Sequence, residues 1–91
     1  MAVTIKIPTA LRQFAGGKAG VEVEAATAGE ALNALAAQYA ELRRHLYDDG
    51  NRLRSFVNVY LNDEDIRFQG GFDAPLSDGD ELTVVPAIAG G

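Results

Sequence analysis

The residues of this chain that could do chemistry are the last ones, a glycine pair that ends in a carboxylate. Pro86 is followed by a small-residue segment, Ala87, Ile88, Ala89, Gly90 and Gly91. No side chain after Ile88 is larger than a methyl group, so this segment can enter a narrow hole in another protein. The glycine pair alone does not distinguish a reactive end from a frayed one. Glycine makes up roughly 7% of average sequences, so a terminal glycine pair occurs by chance in about 0.5% of chains.

The composition limits the classes of function. Ninety-one residues, 47% of them hydrophobic, predict a single domain over residues 1–91. The formal net charge of -5 argues against nucleic acid and anionic membranes as partners. We find no apolar run of membrane-spanning length and no basic, apolar leader, and we expect a soluble, cytoplasmic protein. The chain has no cysteine, so any sulfur that it carries cannot ride on a side-chain thiol.

The first half of the chain has the patterns of a hairpin followed by a helix. Alternating apolar residues predict two strands, around Val3–Ile7 and Val21–Val23, joined by a glycine-rich loop. Thr27 to Glu30 fits a capping box, in which the Thr27 hydroxyl and the Glu30 carboxylate each accept a backbone N–H. The helix should run from about Ala28 to the mid-40s, with a break near Tyr39. Its apolar stripe comprises Leu32, Leu35, Tyr39, Leu42 and Leu46.

The second half predicts returning strands. Phe56–Asn62 alternates as a strand, residues 62–65 suggest a turn, and Ile66–Phe68 suggests a short fourth strand. A loop from Gly70 to Gly79 then leads to a last strand over residues 82–87. A hairpin, a long helix and returning strands predict an α+β fold: a mixed, four- to five-stranded sheet with one main helix packed on one face. The tail over 87–91 is expected to be flexible.

At this level the chain resembles the ubiquitin-like prokaryotic sulfur carriers, the family that includes ThiS, MoaD and CysO. The resemblance spans the whole chain and rests most on the run from Phe56 to Arg67, on Gly79-Asp80 and on the ending from Pro86 to Gly91. It implies the β-grasp fold. The Asn-Asp-Glu-Asp-Ile-Arg run and the Pro-Ala-Ile-Ala-Gly-Gly ending are most similar to the cysteine-synthesis branch, CysO.

The resemblance also implies a chemistry for the tail. In this family a separate enzyme adenylates the terminal carboxylate with ATP, and the adenylate becomes a thiocarboxylate that donates sulfur. The implied reactive residues are Gly91 and Gly90, with residues 87–89 as the tail that delivers them. The chain itself would bind no cofactor and would be a co-substrate of its partners rather than an enzyme.

The same resemblance implies the partners. They are an adenylating enzyme of the ubiquitin-activating type, a sulfur-accepting enzyme such as a cysteine synthase, and a metallopeptidase that releases the product. Molybdopterin, thiamine or thiosugar synthesis could use the same tail. Two alternatives stay open at this point, a modifier joined through Gly91 to lysines of other proteins and a non-catalytic β-grasp adaptor.

A second candidate site is the sheet face that points away from the helix. Phe56, Tyr60 and Val85 should lie on this face, and exposed apolar patches tend to mark interaction sites. Arg67 matches the family run and is the fourth candidate for partner docking. The alternative is that long side chains, such as those of Arg12 and Arg67, cover the patch.

The other residues that could take part in catalysis or ligand binding do not predict a further site. His45 is the single histidine and should lie near a helix end, where its charged form meets the helix dipole favourably. Asp63, Glu64 and Asp65 lack the spacing of an EF-hand loop and suggest a solvated turn. The Gly16-Gly17 and Gly70-Gly71 pairs fall short of a phosphate-binding fingerprint. We therefore expect no catalytic residue and no metal site.

Overall fold

The computed structural model describes residues 1–50, 52–54 and 57–86. Its strands and α-helices are β1 (Ala2–Lys6), β2 (Gly20–Glu24), α1 (Ala28–Gln38), α2 (Ala40–Leu46), β3 (Val57–Leu61), β4 (Glu64–Asp65) and β5 (Glu81–Pro86). Short 3₁₀ helices span Thr9–Phe14, Ile66–Phe68 and Gly71–Asp73.

The strands form one mixed sheet in the order β2-β1-β5-β3-β4. β1 pairs antiparallel with β2 and parallel with β5, and β5 pairs antiparallel with β3. The parallel pair requires a crossover, which α1 and α2 supply between the hairpin and the later strands. The predicted α+β class with a mixed sheet and a helix packed on one face is confirmed.

The core lies between the helices and one face of the sheet. Every second residue of β1, β3 and β5 is buried, while its neighbours are half-buried or exposed. The largest fully buried side chains come from both layers: Val3, Ile5, Leu32, Leu35, Leu42, Leu46, Val59, Leu82 and Val84. This is the set that the alternation and the helical stripe predicted.

The helix begins and breaks where the sequence predicted. The Thr27 hydroxyl accepts the backbone N–H of Glu30 at 3.2 Å. The Glu30 carboxylate reaches back, but it accepts the N–H of Ala26 at 3.0 Å rather than that of Thr27. Tyr39 separates α1 from α2 with φ of -129° and ψ of 88°. Its N–H still bonds to the Leu35 carbonyl at 3.0 Å, so the chain turns without losing the bond that closes α1.

The predicted strand at Ile66–Phe68 is wrong. These residues form a 3₁₀ turn, and the short strand β4 lies two residues earlier, at Glu64–Asp65. The Asp65 carboxylate caps this turn by accepting the Arg67 N–H at 2.8 Å, which favours a helical turn over an extended chain. The turn before β4 is correspondingly tight, and Asn62 takes a positive φ of 57° there, a conformation that asparagine tolerates better than most residues.

Two further findings bear on the sequence predictions. The loop after β1 contains the 3₁₀ helix Thr9–Phe14, which the sequence had not indicated. No helix in the described parts of the chain is long and apolar enough to cross a membrane. The predicted flexible tail over 87–91 lies outside the described residues.

Candidate functional site

The tail leaves the sheet from a central strand. β5 lies between β1 and β3, and its last residue, Pro86, pairs with Val57 at the start of β3. The turn at Asn62–Asp63 lies at the other end of these two strands, where Leu61 pairs with Leu82. Pro86 is therefore paired with β3, whereas the pairing of β5 with β1 ends at Thr83. Gly91, Gly90 and residues 87–89 lie outside the described residues.

The outer sheet face carries a shallow hollow of about 420 Å³. Its lining comprises Tyr60, Asn62, Asp63, Thr83 and Val85. Tyr60 and Val85 thus share one surface, on the face away from the helices, and Val85 is 39% exposed. The hollow ends one residue before the tail root at Pro86. We name this surface the outer-face hollow.

The sequence reasoning missed three residues of this hollow. Thr83 shares the outward register of Val85 in β5, so the alternation of the last strand already indicated its direction. Asn62 and Asp63 reach the hollow through the tight turn after β3, which alternation does not predict. Phe56, the remaining aromatic candidate, lies outside the described residues.

Both arginines that could have covered the outer face have hydrogen-bond partners of their own. The Nε of Arg12 donates to the Ile7 carbonyl at 3.0 Å. The guanidinium of Arg67 pairs with Asp65, through Nε at 3.1 and 3.2 Å and Nη2 at 2.7 Å. Val85 remains 39% exposed. The docking role of Tyr60, Val85 and Arg67 stays a prediction.

The Asp65–Arg67 pair is the strongest electrostatic feature of this region. The Asp65 side chain is only 8% exposed, whereas that of Arg67 is 71% exposed. The pKa of Asp65 is lowered, most strongly by the hydrogen bonds from the Arg67 side chain and next by the hydrogen bond from the Arg67 backbone N–H. The same contact raises the pKa of Arg67. The pair fixes the position of the 3₁₀ turn next to β3.

The lowered pKa of Asp65 predicts an acid-dependent contribution to stability. A carboxylate whose folded pKa lies below its unfolded value of about 3.9 stabilises the fold above that pH, and this contribution is lost as the pH falls through the folded pKa. Asp65→Asn keeps an oxygen that can cap the turn but removes the ion pair with Arg67, so it should lower the free energy of unfolding by up to about 1 kcal/mol at neutral pH. The difference from wild type should shrink towards zero in strong acid, as urea titrations at several pH values would measure.

The control is Asp63→Asn, which removes an exposed carboxylate one turn away and should change little at any pH. A deficit of Asp65→Asn that persists unchanged in strong acid would contradict this account, because protonated Asp65 resembles asparagine.

The remaining residues considered for chemistry are His45 and the acidic residues 63–65, and their positions have a structural explanation. His45 stacks on Phe14, with ring centroids 4.0 Å apart, and joins α2 to the 3₁₀ helix after β1. Among residues 1–50, 52–54 and 57–86, no group of three acidic, histidine or cysteine side chains is placed to hold a metal ion. Asp65 points to Arg67, and Asp63 and Glu64 lie exposed at the hairpin end.

Comparison with known proteins gives matches across almost the whole chain. The ThiS family profile matches residues 5–91, so it includes the terminal glycines. The sulfur carrier protein CysO of Mycobacterium tuberculosis is 43% identical over 93 aligned positions, which cover 100% of both chains. Small archaeal modifier protein 3 of Haloferax volcanii is 38% identical over 66 positions, covering 72% of this chain and 71% of the modifier.

A solved structure agrees with these matches. A chain of the crystal structure of the BexX/CysO complex from Amycolatopsis orientalis superimposes with a TM-score of 0.88 and is 46% identical. The superposition covers 99% of this chain and 100% of that chain. The predicted β-grasp fold and the resemblance to the sulfur carriers are confirmed.

Proposed function

This chain belongs to the ThiS family, and we propose that it is a sulfur carrier with Gly91 as its reactive end. A partner enzyme adenylates the Gly91 carboxylate with ATP, and a sulfur donor then displaces AMP to leave a thiocarboxylate. The observation that carries this proposal is the similarity, over 100% of both chains, to a protein named as a sulfur carrier, together with the family match that extends to residue 91.

The residues of the tail suit each step. A carboxylate is a poor electrophile, whereas an acyl-adenylate has a good leaving group. Gly91 has no Cβ to hinder a nucleophile that approaches its carbonyl, and Gly90 can take dihedral angles closed to other residues. Residues 87–91 reach at most about 17 Å when extended, enough for the carboxylate to enter a buried site while the domain stays outside.

In this proposal the chain is a co-substrate and the partners are the enzymes. It binds no cofactor of its own, and ATP belongs to the activating enzyme. The partners are an adenylating enzyme of the ubiquitin-activating type and a sulfur-accepting enzyme, with the reaction in the cytoplasm where ATP is supplied. A relative of this chain has been crystallised in a complex with BexX, which supports docking of the folded domain on a partner. The outer-face hollow beside the tail root is the surface that we assign to this docking.

The test is the intact mass of the protein isolated from its native cell. Replacement of one oxygen by sulfur at the terminus supports the carrier. The second candidate is a protein modifier, favoured by the similarity to small archaeal modifier protein 3, and it predicts isopeptide-linked conjugates instead. An unmodified terminus under conditions of active sulfur metabolism, without conjugates, would leave only the adaptor alternative.

The acceptor pathway gives a further prediction. If the chain serves cysteine synthesis, its thiocarboxylate attacks an aminoacrylate held on the pyridoxal phosphate of a cysteine synthase. An S-to-N acyl shift then leaves cysteine on Gly91 through a peptide bond, and a metallopeptidase must release it. Mixing the thiocarboxylate form with the cysteine synthase of the same cell and O-phosphoserine or O-acetylserine should therefore give a product with the mass of the carboxylate form plus one cysteine residue, because the sulfur of that residue comes from the thiocarboxylate itself.

The control is the carboxylate form of the protein, which should gain no mass. A thiocarboxylate that stays unchanged would redirect the proposal to molybdopterin, thiamine or thiosugar synthesis, where sulfur leaves without a cysteinyl adduct.

A further inference from the structure

The lining of the outer-face hollow changes from apolar near the tail root to acidic at the turn after β3. Val85 stands at the apolar end, and Thr83 and Tyr60 lie opposite each other in the middle. Asp63 lies at the far end, beyond the last pair of β3 and β5. From Tyr60 to the turn is two residues, about 7 Å at roughly 3.4 Å per residue, which one long side chain can span. All four residues are half-buried or exposed, so another molecule can reach them.

Asp63 is the charged residue of this lining, and its carboxylate has no hydrogen-bond or ion-pair partner in the described parts of the chain. The amide next to it is already used. The Asn62 Oδ1 accepts the Glu81 N–H at 3.2 Å, and its Nδ2 donates to Asp80 at 3.4 Å. The Thr83 hydroxyl likewise has no partner among the described residues. The hollow therefore presents unused hydrogen-bond acceptors towards its acidic end.

The basic residues of the surrounding sheet are paired with other carboxylates. The Nζ of Lys6 lies 3.3 Å from the Oε1 of Glu81. Arg67 is within electrostatic reach of the tyrosine of the hollow, but its Nη2 is held by Asp65 at 2.7 Å and it does not line the hollow. The lining has no basic residue of its own in the part of the chain that the structure describes. On a chain whose net charge is -5, a cation for Asp63 is therefore expected from another molecule.

An aromatic ring next to a free carboxylate favours a guanidinium over an ammonium group. A guanidinium is planar and stacks on aromatic rings such as that of Tyr60, and its N–H groups match the two oxygens of a carboxylate such as that of Asp63. The ammonium of lysine is a compact, strongly hydrated charge and gains less from a ring. The aliphatic stem of an arginine can also cover apolar surface, here that of Val85 and the Thr83 methyl group.

We propose that the outer-face hollow receives an arginine side chain from the surface of the activating enzyme. The guanidinium lies between Tyr60 and Asp63, and the stem of the side chain lies along Thr83 and Val85. Charge complementarity selects this occupant, because the lining offers a carboxylate without a counter-charge. The inference rests on the docking role proposed above for the hollow, and it adds the chemical group by which the partner is recognised.

The probe is Nα-acetyl-arginine amide, titrated into the ¹⁵N-labelled full chain. It should shift the amide signals of Tyr60, Asp63, Thr83 and Val85 saturably at millimolar concentrations. Nα-acetyl-citrulline amide keeps the shape of the probe without its charge and should bind roughly fivefold more weakly, the upper range for an exposed ion pair. Nα-acetyl-lysine amide keeps the charge without the planar group and should also bind more weakly.

Two matched variants separate this site from the general negative charge of the chain. Asp63→Asn should weaken the arginine probe roughly fivefold. It should also raise the Kd for the activating enzyme about tenfold and make that Kd less dependent on salt, because a charge-assisted hydrogen bond is lost. Glu64→Gln removes the same charge from the next residue, which is exposed and outside the lining, and should change neither binding constant by much.

Several results would overturn the proposal: equal effects of the two variants, equal binding of the arginine and citrulline probes, or no saturable shift at the hollow. Self-association that Asp63→Asn abolishes would overturn it in favour of a second copy of the chain. The probe titration involves no sulfur chemistry, so its outcome is separate from activation at Gly91. Normal adenylation of Asp63→Asn with unchanged enzyme binding would refute the arginine contact and leave the carrier function standing.

Discussion

Deletion of Gly91 should abolish ATP-dependent activation while it leaves the thermal unfolding midpoint nearly unchanged. The truncated chain still ends in glycine, but its carboxylate stands about 3.3 Å short of its normal position, and misplacement by even about 1 Å can cost roughly a hundredfold in rate. Stability should survive because every buried side chain in the described parts of the chain lies between Val3 and Val84. The measurements are pyrophosphate release with the activating enzyme and thermal melting by circular dichroism.

A second variant adds one alanine after Gly91 and tests the same point from the opposite direction. This variant should also fail to be activated until a peptidase removes the alanine, because the reactive carboxylate is again displaced by one residue. Adenylation of either variant at the wild-type rate would refute Gly91 as the reactive residue, and with it the carrier proposal. A large loss of stability in either variant would show instead that the tail contributes to the fold.

Substitutions on the two faces of the sheet should have opposite consequences. Leu35→Ala opens a cavity at a fully buried position of α1 and should lower the free energy of unfolding by roughly 2–5 kcal/mol. Val85→Asp or Tyr60→Asp should leave that free energy nearly unchanged, because both residues point away from the core. In a complex they would bury an unpaired charge, which should weaken binding to the activating enzyme by at least about 2 kcal/mol, roughly 30-fold in Kd.

The control for added charge is Gln13→Asp, an exposed position on the 3₁₀ helix after β1, which should change neither quantity. Urea titration measures the stability and isothermal calorimetry measures the binding. Unchanged binding by Val85→Asp and Tyr60→Asp would remove the outer-face hollow as the docking surface. The position of Gly91 as the reactive residue would stand, since the two predictions rest on different residues.

The sequence by itself determined the layers of this protein. Alternation at Val3–Ile7, Val21–Val23 and residues 82–84 identifies inward faces because a strand has a period of two. The cap at Thr27 and the helix break at Tyr39 could also be predicted from the sequence, since both depend on interactions between residues a few positions apart. The tail was the candidate site that the sequence indicated most directly, because the chemistry proposed for it resides in backbone atoms and needs no partner from elsewhere in the chain.

Tertiary structure decided what the short, irregular segments do. Ile66–Phe68 has the apolar pattern of a strand, yet β4 stops after two residues and these residues form a 3₁₀ turn, which buries Ile66 in the core and leaves Phe68 78% exposed. Likewise, Asn62 and Asp63 reach the outer-face hollow only because the turn folds back on β3. The periodicity of apolar residues predicts which face of an element is buried. It does not predict where a neighbouring strand ends, because strand pairing joins residues that are far apart in the sequence.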